Sequence, residues 1–381
     1  MKIAIDARFY NESGIGRYLR NLISALQIVD KQSLRSKDLK KNQFFILLLP
    51  KDFENFKATA NFKKVLAPFK WYGFAEQYKL PILLNQLNLD LVHYPHFNVP
   101  IFYKGKFVVT IHDLIHQHHV MNKASTLDPF TYKIKQFGYR KAFKYAVKNS
   151  SQIIVPSNFV KRGLQDEWKI SIDKITITQE AVDYQILEIG KKIKREKILA
   201  ILQKFNISTP FLFYVGNAHP HKNIERLIRV FQRLRNKFKN LKLVLSGTDN
   251  YFWQRIKNEY KQEGIIYTGF ISDEELVAFY KSTQAFILPS LEEGFGIPIL
   301  EAMSLGCLVV SSDAGSLKEV GGEAALYFNP LSEEEMFDKI TKALNNPSLR
   351  KSLIEKGKKR AGLFSWEKMA RQTLEVYQAC Q

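Results

Sequence analysis

Two doubly wound α/β domains facing a central cleft are what this chain of 381 residues predicts. Three observations carry the prediction. Short apolar runs recur in two series, separated by a long polar stretch. Amphipathic helical patterns lie between most of the runs, and such crossovers imply parallel sheets covered on both faces. With 45% hydrophobic residues, a chain of this length can bury a core in each half.

The first series of strands is read at 2–7, 44–49, 91–94, 107–111 and 152–155, and the second at 211–215, 241–246, 265–268, 285–288 and 308–311. Between them, 184–210 is polar, with a charged run at 191–197 and no strand pattern, and reads as the linker. The domains are therefore expected at 1–185 and 186–363, followed by a helix over 364–381 capped by Ser365. No internal repeat relates the halves.

Bulk properties narrow the class. No segment approaches the roughly 18 uninterrupted apolar residues of a membrane span. The opening MKIAIDARFY alternates like a strand and lacks the long apolar stretch of a signal peptide. Only Cys307 and Cys380 are present, so a disulfide framework is excluded and a reducing cytoplasm is the expected location. The net charge of +20 is uneven: residues 1–200 hold 33 Lys and Arg against 17 acids, and residues 201–381 hold 24 against 20. No helix-turn-helix, zinc-finger or RNP signature points to nucleic acid. An anionic bilayer surface or a lipid-diphosphate acceptor explains the asymmetry better, with attachment peripheral to the inner face of the cell membrane. Within 131–150, Lys133, Lys135, Arg140, Lys141, Lys144 and Lys148 alternate with aromatic and aliphatic residues. That pattern reads first as a solvated basic face over an ordinary core stripe, as do the basic runs at 35–41 and 57–70.

The most informative stretch lies between Glu292 and Pro330. An apolar run from Ala285 to Pro289 suits a buried strand, and Gly294, Phe295 and Gly296 then supply a loop whose backbone can approach a ligand closely. Ile297 and Pro298 open a helix running to about Leu305, where Gly306 stops it. The free N–H groups and partial positive charge of that helix end attract phosphate. Two acids beside it, Glu293 and Glu301, would repel an anion unless each accepts hydroxyl groups instead. They match the two hydroxyl-rich ends of a sugar nucleotide, with the diphosphate held between them. Taken singly, each reads equally well as a loop charge or a helix-favouring surface acid.

Further along the same logic, Tyr214 to Phe231 offers a strand, Gly216, a short turn and a helix from about Asn223. Lys222 stands at the helix entrance, where a cation opposes the dipole unless an anion binds nearby. In the first half, Gly14, Gly16 and Arg17 follow the first strand and open a helix. Their place at the C-terminal edge of a parallel sheet lifts an otherwise weak glycine signal. A dinucleotide fingerprint is excluded, because Leu19 fills its last glycine place. All eight histidines fall within 93–119 or at 219 and 221, with His112 and Asp113 directly after a strand. His116, His118 and His119 form a rival zinc reading, without an H-E-x-x-H pattern or a cysteine pair to support it.

The string from Glu293 to Glu301, with Val309–Ser312 and the run Gly315, Ser316, Leu317, Lys318, Glu319 and Val320 behind it, resembles the E-x7-E signature of the retaining glycosyltransferases of family 4, which adopt the GT-B architecture. The resemblance implies that Glu293 contacts the transferred sugar, that Glu301 binds the ribose and that Lys222 faces the diphosphate. It places Gly14, Gly16 and Arg17 near the donor phosphates and His112 beside the donor sugar, with Asp113 in an orienting role. Gly216, Gly294, Phe295, Gly296 and Ile297 complete the expected donor site, and His93 and His96 are set on the acceptor side. The first domain would bind acceptor and the second nucleotide sugar, with the last helix returning onto the first. Lys318 stands where the family often has proline, and Asn217 and His221 stand where it commonly has arginine.

No D-x-D sequence occurs, so the expected chemistry uses no metal and no cofactor. The helix dipole, Lys222 and Arg17 would neutralise the leaving diphosphate. The expected activity is transfer of a hexose, with retained configuration, from a nucleotide sugar to a glycan or lipid-linked acceptor in surface polysaccharide synthesis. NAHPHKN is similar to mannosyltransferases that build bacterial surface polysaccharides and favours GDP-mannose, while UDP-hexoses stay open. The remaining alternatives are a non-catalytic sugar-nucleotide binder and a nucleic-acid binder.

Overall fold

A computed structural model of the chain describes residues 1–12, 14–33, 42–118 and 129–381, with side chains undescribed at 33 and 129–137. The basic run 35–41, the side chains of Lys133 and Lys135, and His119 lie outside the described residues. The chain divides into two units, one of Met1–Leu114, Ser125–Glu180 and Ser365–Gln381, the other of Ile115–Ala124 and Ala181–Phe364.

In the first unit, seven strands form one parallel sheet: β1 Lys2–Asp6, β2 Gln43–Leu48, β3 Phe62–Leu66, β4 Leu91–Tyr94, β5 Phe107–Thr110, β6 Gln152–Val155 and β7 Ile175–Ile177. Their order is β3-β2-β1-β4-β5-β6-β7. Inner strands such as Val92 to Tyr94 and Phe107 to Val109 are buried on both faces, which is why they read as unbroken apolar runs. The sheet switches direction of growth between β1 and β4, and the loops at the C-terminal ends of these two strands are where a doubly wound sheet leaves a crevice. Helix Trp366–Gln378, capped by Ser365, packs on helix Gly14–Ser33 of this unit and buries Trp366, Met369, Thr373 and Tyr377.

Six strands form the second parallel sheet: β8 Phe211–Val215, β9 Lys242–Ser246, β10 Ile265–Gly269, β11 Ala285–Leu288, β12 Val309–Ser312 and β13 Ala325–Phe328. The order β10-β9-β8-β11-β12-β13 repeats the same winding, with the switch between β8 and β11. The stretch expected as a linker instead forms two helices, Tyr184–Lys192 and Arg195–Lys204, which bury Ile186, Ile201 and Leu202 and pack on helix Asp273–Ser282. Polarity had hidden them, because each helix shows only one narrow apolar stripe.

The basic helix Pro129–Asn149 keeps Arg140, Lys141, Lys144 and Lys148 exposed while Phe143, Ala146 and Val147 are buried. Its described cations are a solvated face over a core stripe. Among the described residues, no helix is long and apolar enough to cross a membrane.

Candidate functional site

In the second unit, the loops after β8 and β11 meet at the sheet's switch point. Asn223 joins them: in a left-handed conformation at φ 59°, it donates through Nδ2 to the carbonyls of Pro289 and Pro330, each at 2.9 Å. The Leu291 N–H donates back to the His221 carbonyl at 2.7 Å. These bonds bring Lys222 to Glu293, 71 residues away in sequence, with Nζ 2.7 Å from Oε1. Ser290 Oγ donates to the same oxygen at 2.6 Å, and Ser290 is itself held through its carbonyl by Ser312 Oγ at 2.6 Å.

Beneath the carboxylate the backbone is tightly cradled. The Ser316 N–H and Oγ donate to the Glu293 carbonyl at 3.1 and 3.0 Å, and Ser316 Oγ also reaches the Phe295 carbonyl at 2.9 Å. Gly315, at φ 62°, passes so close that a Cβ there would sit 2.5 Å from the Glu293 oxygen and 2.7 Å from its nitrogen. Gly296, at φ 95°, then turns the chain into helix Ile297–Ser304 with Pro298 in its first turn. Phe295 is buried with its ring 5.9 Å from that of Phe364, so its side chain anchors the loop. Glu301 is buried on the helix and accepts from Tyr280 Oη at 3.2 Å. Gly294 follows Glu293 in the same loop, and Gly216 leaves β8 with a Cβ position 2.7 Å from Tyr214 Oη.

Two histidines border this cluster. His219 packs its ring 4.5 Å from Phe252, and its buried Nδ1 has no hydrogen-bond partner among the described residues. Burial, then Lys222 and His116, lower its pKa, so His219 is neutral near pH 7. His118 Nδ1 lies 2.8 Å from both oxygens of Glu292, a buried acid adjacent to Glu293. In sequence Glu292 has no assigned role, because adjacent acids in a loop read as one charge run, and His118 enters only as a rival zinc ligand. Among the described residues, no group of three His, Cys, Asp or Glu side chains is placed to hold a metal ion.

In the first unit, His112 follows β5. Its Nδ1 lies 3.0 Å from Glu180 Oε1 and its Nε2 2.9 Å from the Pro95 carbonyl. Both partners accept, so both ring nitrogens carry protons. Burial works against that charge, but the bond and charge of Glu180 outweigh it, with Asp113 assisting, and the pKa is raised. The ring of Tyr18 meets His112 edge-on at 4.7 Å. Gly16 lets the helix start close to the preceding loop, since a Cβ there would lie 2.7 Å from the carbonyl oxygens of Phe9 and Tyr10. Gly14 opens on free space and Arg17 is half-buried. Glu180 could not be found from sequence, because the short strand β7 before it was not recognised.

His93 departs from its expected place on the acceptor side. It is fully buried, with Nδ1 2.6 Å from Tyr377 Oη and Nε2 2.7 Å from Thr110 Oγ1, so it ties the last helix to the sheet. Burial, and then His112, push its pKa down to about 3. His96 stays at the sheet edge against the rings of Phe9 and Phe97. Close by, Arg8 is buried between Asp6 and Glu76, each carboxylate 2.6 Å from Nη2, and donates to the Phe69 carbonyl at 2.9 Å. These bonds fasten the loop after β1.

Comparison with known proteins agrees with this arrangement. Residues 45–185 match the family model of Glycosyltransferase Family 4, and residues 198–360 match that of Glycosyl transferases group 1. The chain is 27% identical to O-antigen chain mannosyltransferase B of Escherichia coli, over 97% of this chain and 96% of that protein. It is 26% identical to O-antigen chain mannosyltransferase RfbU of Salmonella typhimurium, over 84% of each. Among solved structures, Anabaena HepE in complex with UDP-glucose superimposes with a TM-score of 0.74 at 14% identity, over 100% of both chains. With two parallel doubly wound sheets and both family models matched, the chain belongs to the family 4 glycosyltransferases and has the GT-B fold.

Proposed function

We propose that this glycosyltransferase moves a hexose from a nucleotide sugar to a glycan or lipid-linked acceptor in surface polysaccharide synthesis, retaining the anomeric configuration and using no metal ion. The observation that carries the reading is the Lys222 and Glu293 pair, 2.7 Å apart at the switch point of the second sheet. A lysine there has a charge to give to a diphosphate once Glu293 turns to sugar hydroxyls. The N-terminus of helix Ile297–Ser304 adds backbone donors, and Glu301 offers a buried acceptor for ribose hydroxyls.

In the reaction, the bond from the anomeric carbon to the diphosphate oxygen breaks, and the acceptor oxygen bonds to the same face of that carbon. The acceptor proton passes to the departing phosphate. Lys222 and the helix end stabilise the charge that grows on the diphosphate, and Glu293 faces the oxocarbenium-like sugar. Arg17, Gly14, Gly16 and a protonated His112 supply the first unit's share. The names of the relatives support mannose, and GDP-mannose is the donor proposed. UDP-hexose is the second reading, favoured by the UDP-glucose in the HepE complex.

Thermal-shift titration with GDP, UDP and ADP, followed by donor hydrolysis assays, tests the base and the sugar. Glu293→Gln should abolish most transfer while leaving nucleotide affinity nearly intact. Glu301→Ala should mainly weaken nucleotide binding. Near-normal turnover in the first variant, or unchanged affinity in the second, would remove the assigned role.

A further inference from the structure

Helix Phe74–Gln86 turns an apolar row away from its own unit. Phe74, Tyr78 and Ile82 are spaced four residues apart and so share one face, and they are 90%, 58% and 59% exposed. The row continues onto the loop after β4. There Phe102 stacks on Tyr78 with ring centroids 4.7 Å apart, and the Ile101 N–H donates to Gln77 Oε1 at 2.9 Å. Contiguous apolar surface of this kind, as opposed to scattered exposed residues, marks a binding face.

Along the chain beside the row, cations dominate. Between Glu54 and Asp113 the only acids are Glu76 and Asp90. Glu76 sits on the same helix but points inward, buried against Arg8 at 2.6 Å and Asn98 at 2.8 and 2.9 Å. Asp90 lies beyond the far end of the helix, where its carboxylate accepts from the Lys2 N–H at 2.7 Å. Lys70, Lys79 and Lys104 are exposed next to the row in the chain, with no carboxylate in the row to neutralise them.

We propose that this face docks on an anionic lipid bilayer. Phe74, Tyr78, Ile82 and Phe102 would enter the boundary between headgroups and acyl chains, and the three lysines would meet lipid phosphates. Self-association fits the charge poorly, because a symmetric dimer would bring two lysine rims of like sign together. The basic helix Pro129–Asn149 packs nearby, its Tyr145 Oη donating to the Tyr103 carbonyl at 3.0 Å, but its described cations cover a core stripe and are not part of the proposed face. The proposal stands independently of the sugar-transfer reading, since adsorption needs no catalysis.

The test is co-sedimentation of the full chain with phosphatidylcholine vesicles, with and without phosphatidylglycerol. Binding is expected only with the anionic lipid, falling as salt is added. The triple variant Phe74→Ser, Tyr78→Ser, Ile82→Ser should lower partitioning by about 10-fold or more. The set Lys70→Glu, Lys79→Glu, Lys104→Glu should do the same. Unchanged unfolding temperature and nucleotide-induced thermal shift in both sets would show that the fold and the donor site are intact. The proposal is overturned if the parent protein fails to sediment with either vesicle, binds both equally, or binds as before after the apolar substitutions. It is equally overturned if sedimentation velocity shows a parent dimer that those substitutions dissociate.

Discussion

Replacing Lys222 with methionine tests the charge arrangement at the centre of the site. Its Nζ is 2.7 Å from Glu293 Oε1, and the two side chains are 16% and 12% exposed. That places the pair between exposed ion pairs, which contribute about 0.2–1 kcal/mol, and buried ones, where losing a partner costs about 3–5 kcal/mol. Among the described residues only one oxygen of the Glu293 carboxylate is engaged, and Ser290 Oγ would still satisfy it at 2.6 Å. A loss of about 1–3 kcal/mol follows. In a unit of this size each 1 kcal/mol lowers the unfolding temperature by about 2–4 °C, so Lys222→Met should lower it by roughly 2–12 °C. Glu293→Gln should cost less, since an amide oxygen can still accept from both partners. The double variant should fall short of the sum by about 1 kcal/mol or more, the signature of a coupled pair. Thermal unfolding of the four proteins, with and without a nucleoside diphosphate, reads both quantities. Lys222→Met should also lose most of the ligand-induced shift, because the diphosphate loses its cation. Additive effects together with an undiminished ligand shift would refute the assignment of Lys222 to both carboxylate and phosphate.

Other consequences can be measured separately. Gly315→Ala must place a Cβ 2.5 Å from the Glu293 carbonyl oxygen at a left-handed φ, so the loop has to move. Strain of about 1–2 kcal/mol and a drop in turnover larger than any drop in nucleotide affinity are expected; full turnover would mean the Glu293 backbone position is immaterial. His93 and His112 give opposite pH dependences. The His93 pKa, about 3, lies below its unfolded value of about 6.5. Its stabilising contribution is therefore present above about pH 6.5 and lost as pH falls towards 3. The raised pKa of His112 adds stability that is complete below about pH 6.5 and lost as pH rises through the folded value. Proton NMR titration should show His93 still neutral near pH 5 while His112 is charged, and Glu180→Gln should bring the His112 midpoint down; an unmoved midpoint would disconnect the two groups.

How far the fold could be read depended on where each strand lies in its sheet. The inner strands β1, β4, β5, β8 and β11 are covered on both faces and appear as apolar runs that periodicity detects. The three strands missed, β3, β7 and β13, are all edges. In β3, Lys63 and Lys64 occupy the middle of FKKVL, and the segment read as a basic stretch. Charge on an edge strand discourages further pairing, so the feature that protects the sheet also conceals the strand. β7 has only three residues, and β13 follows the tight Gly321 and Gly322 turn.

The site shows the same division between pattern and partnership. Glu293, Glu301, Gly296 and Pro298 were legible because a loop and a helix entrance impose local spacing. Ser290 and Tyr280 were not, since a hydroxyl that orients a carboxylate has no spacing of its own and is ordinary anywhere in a chain. The Lys222 contact belongs to neither class. Nothing local links residues 71 apart, but once β8 and β11 are neighbours on opposite sides of the winding reversal, their C-terminal loops must open into the same crevice. Alternation of strands and helices predicts that reversal, and the reversal predicts that the lysine after one strand can reach the carboxylate after the other. The pairing is thus a consequence of strand order, and it should survive changes in loop sequence that preserve Asn223 and its bonds to the Pro289 and Pro330 carbonyls.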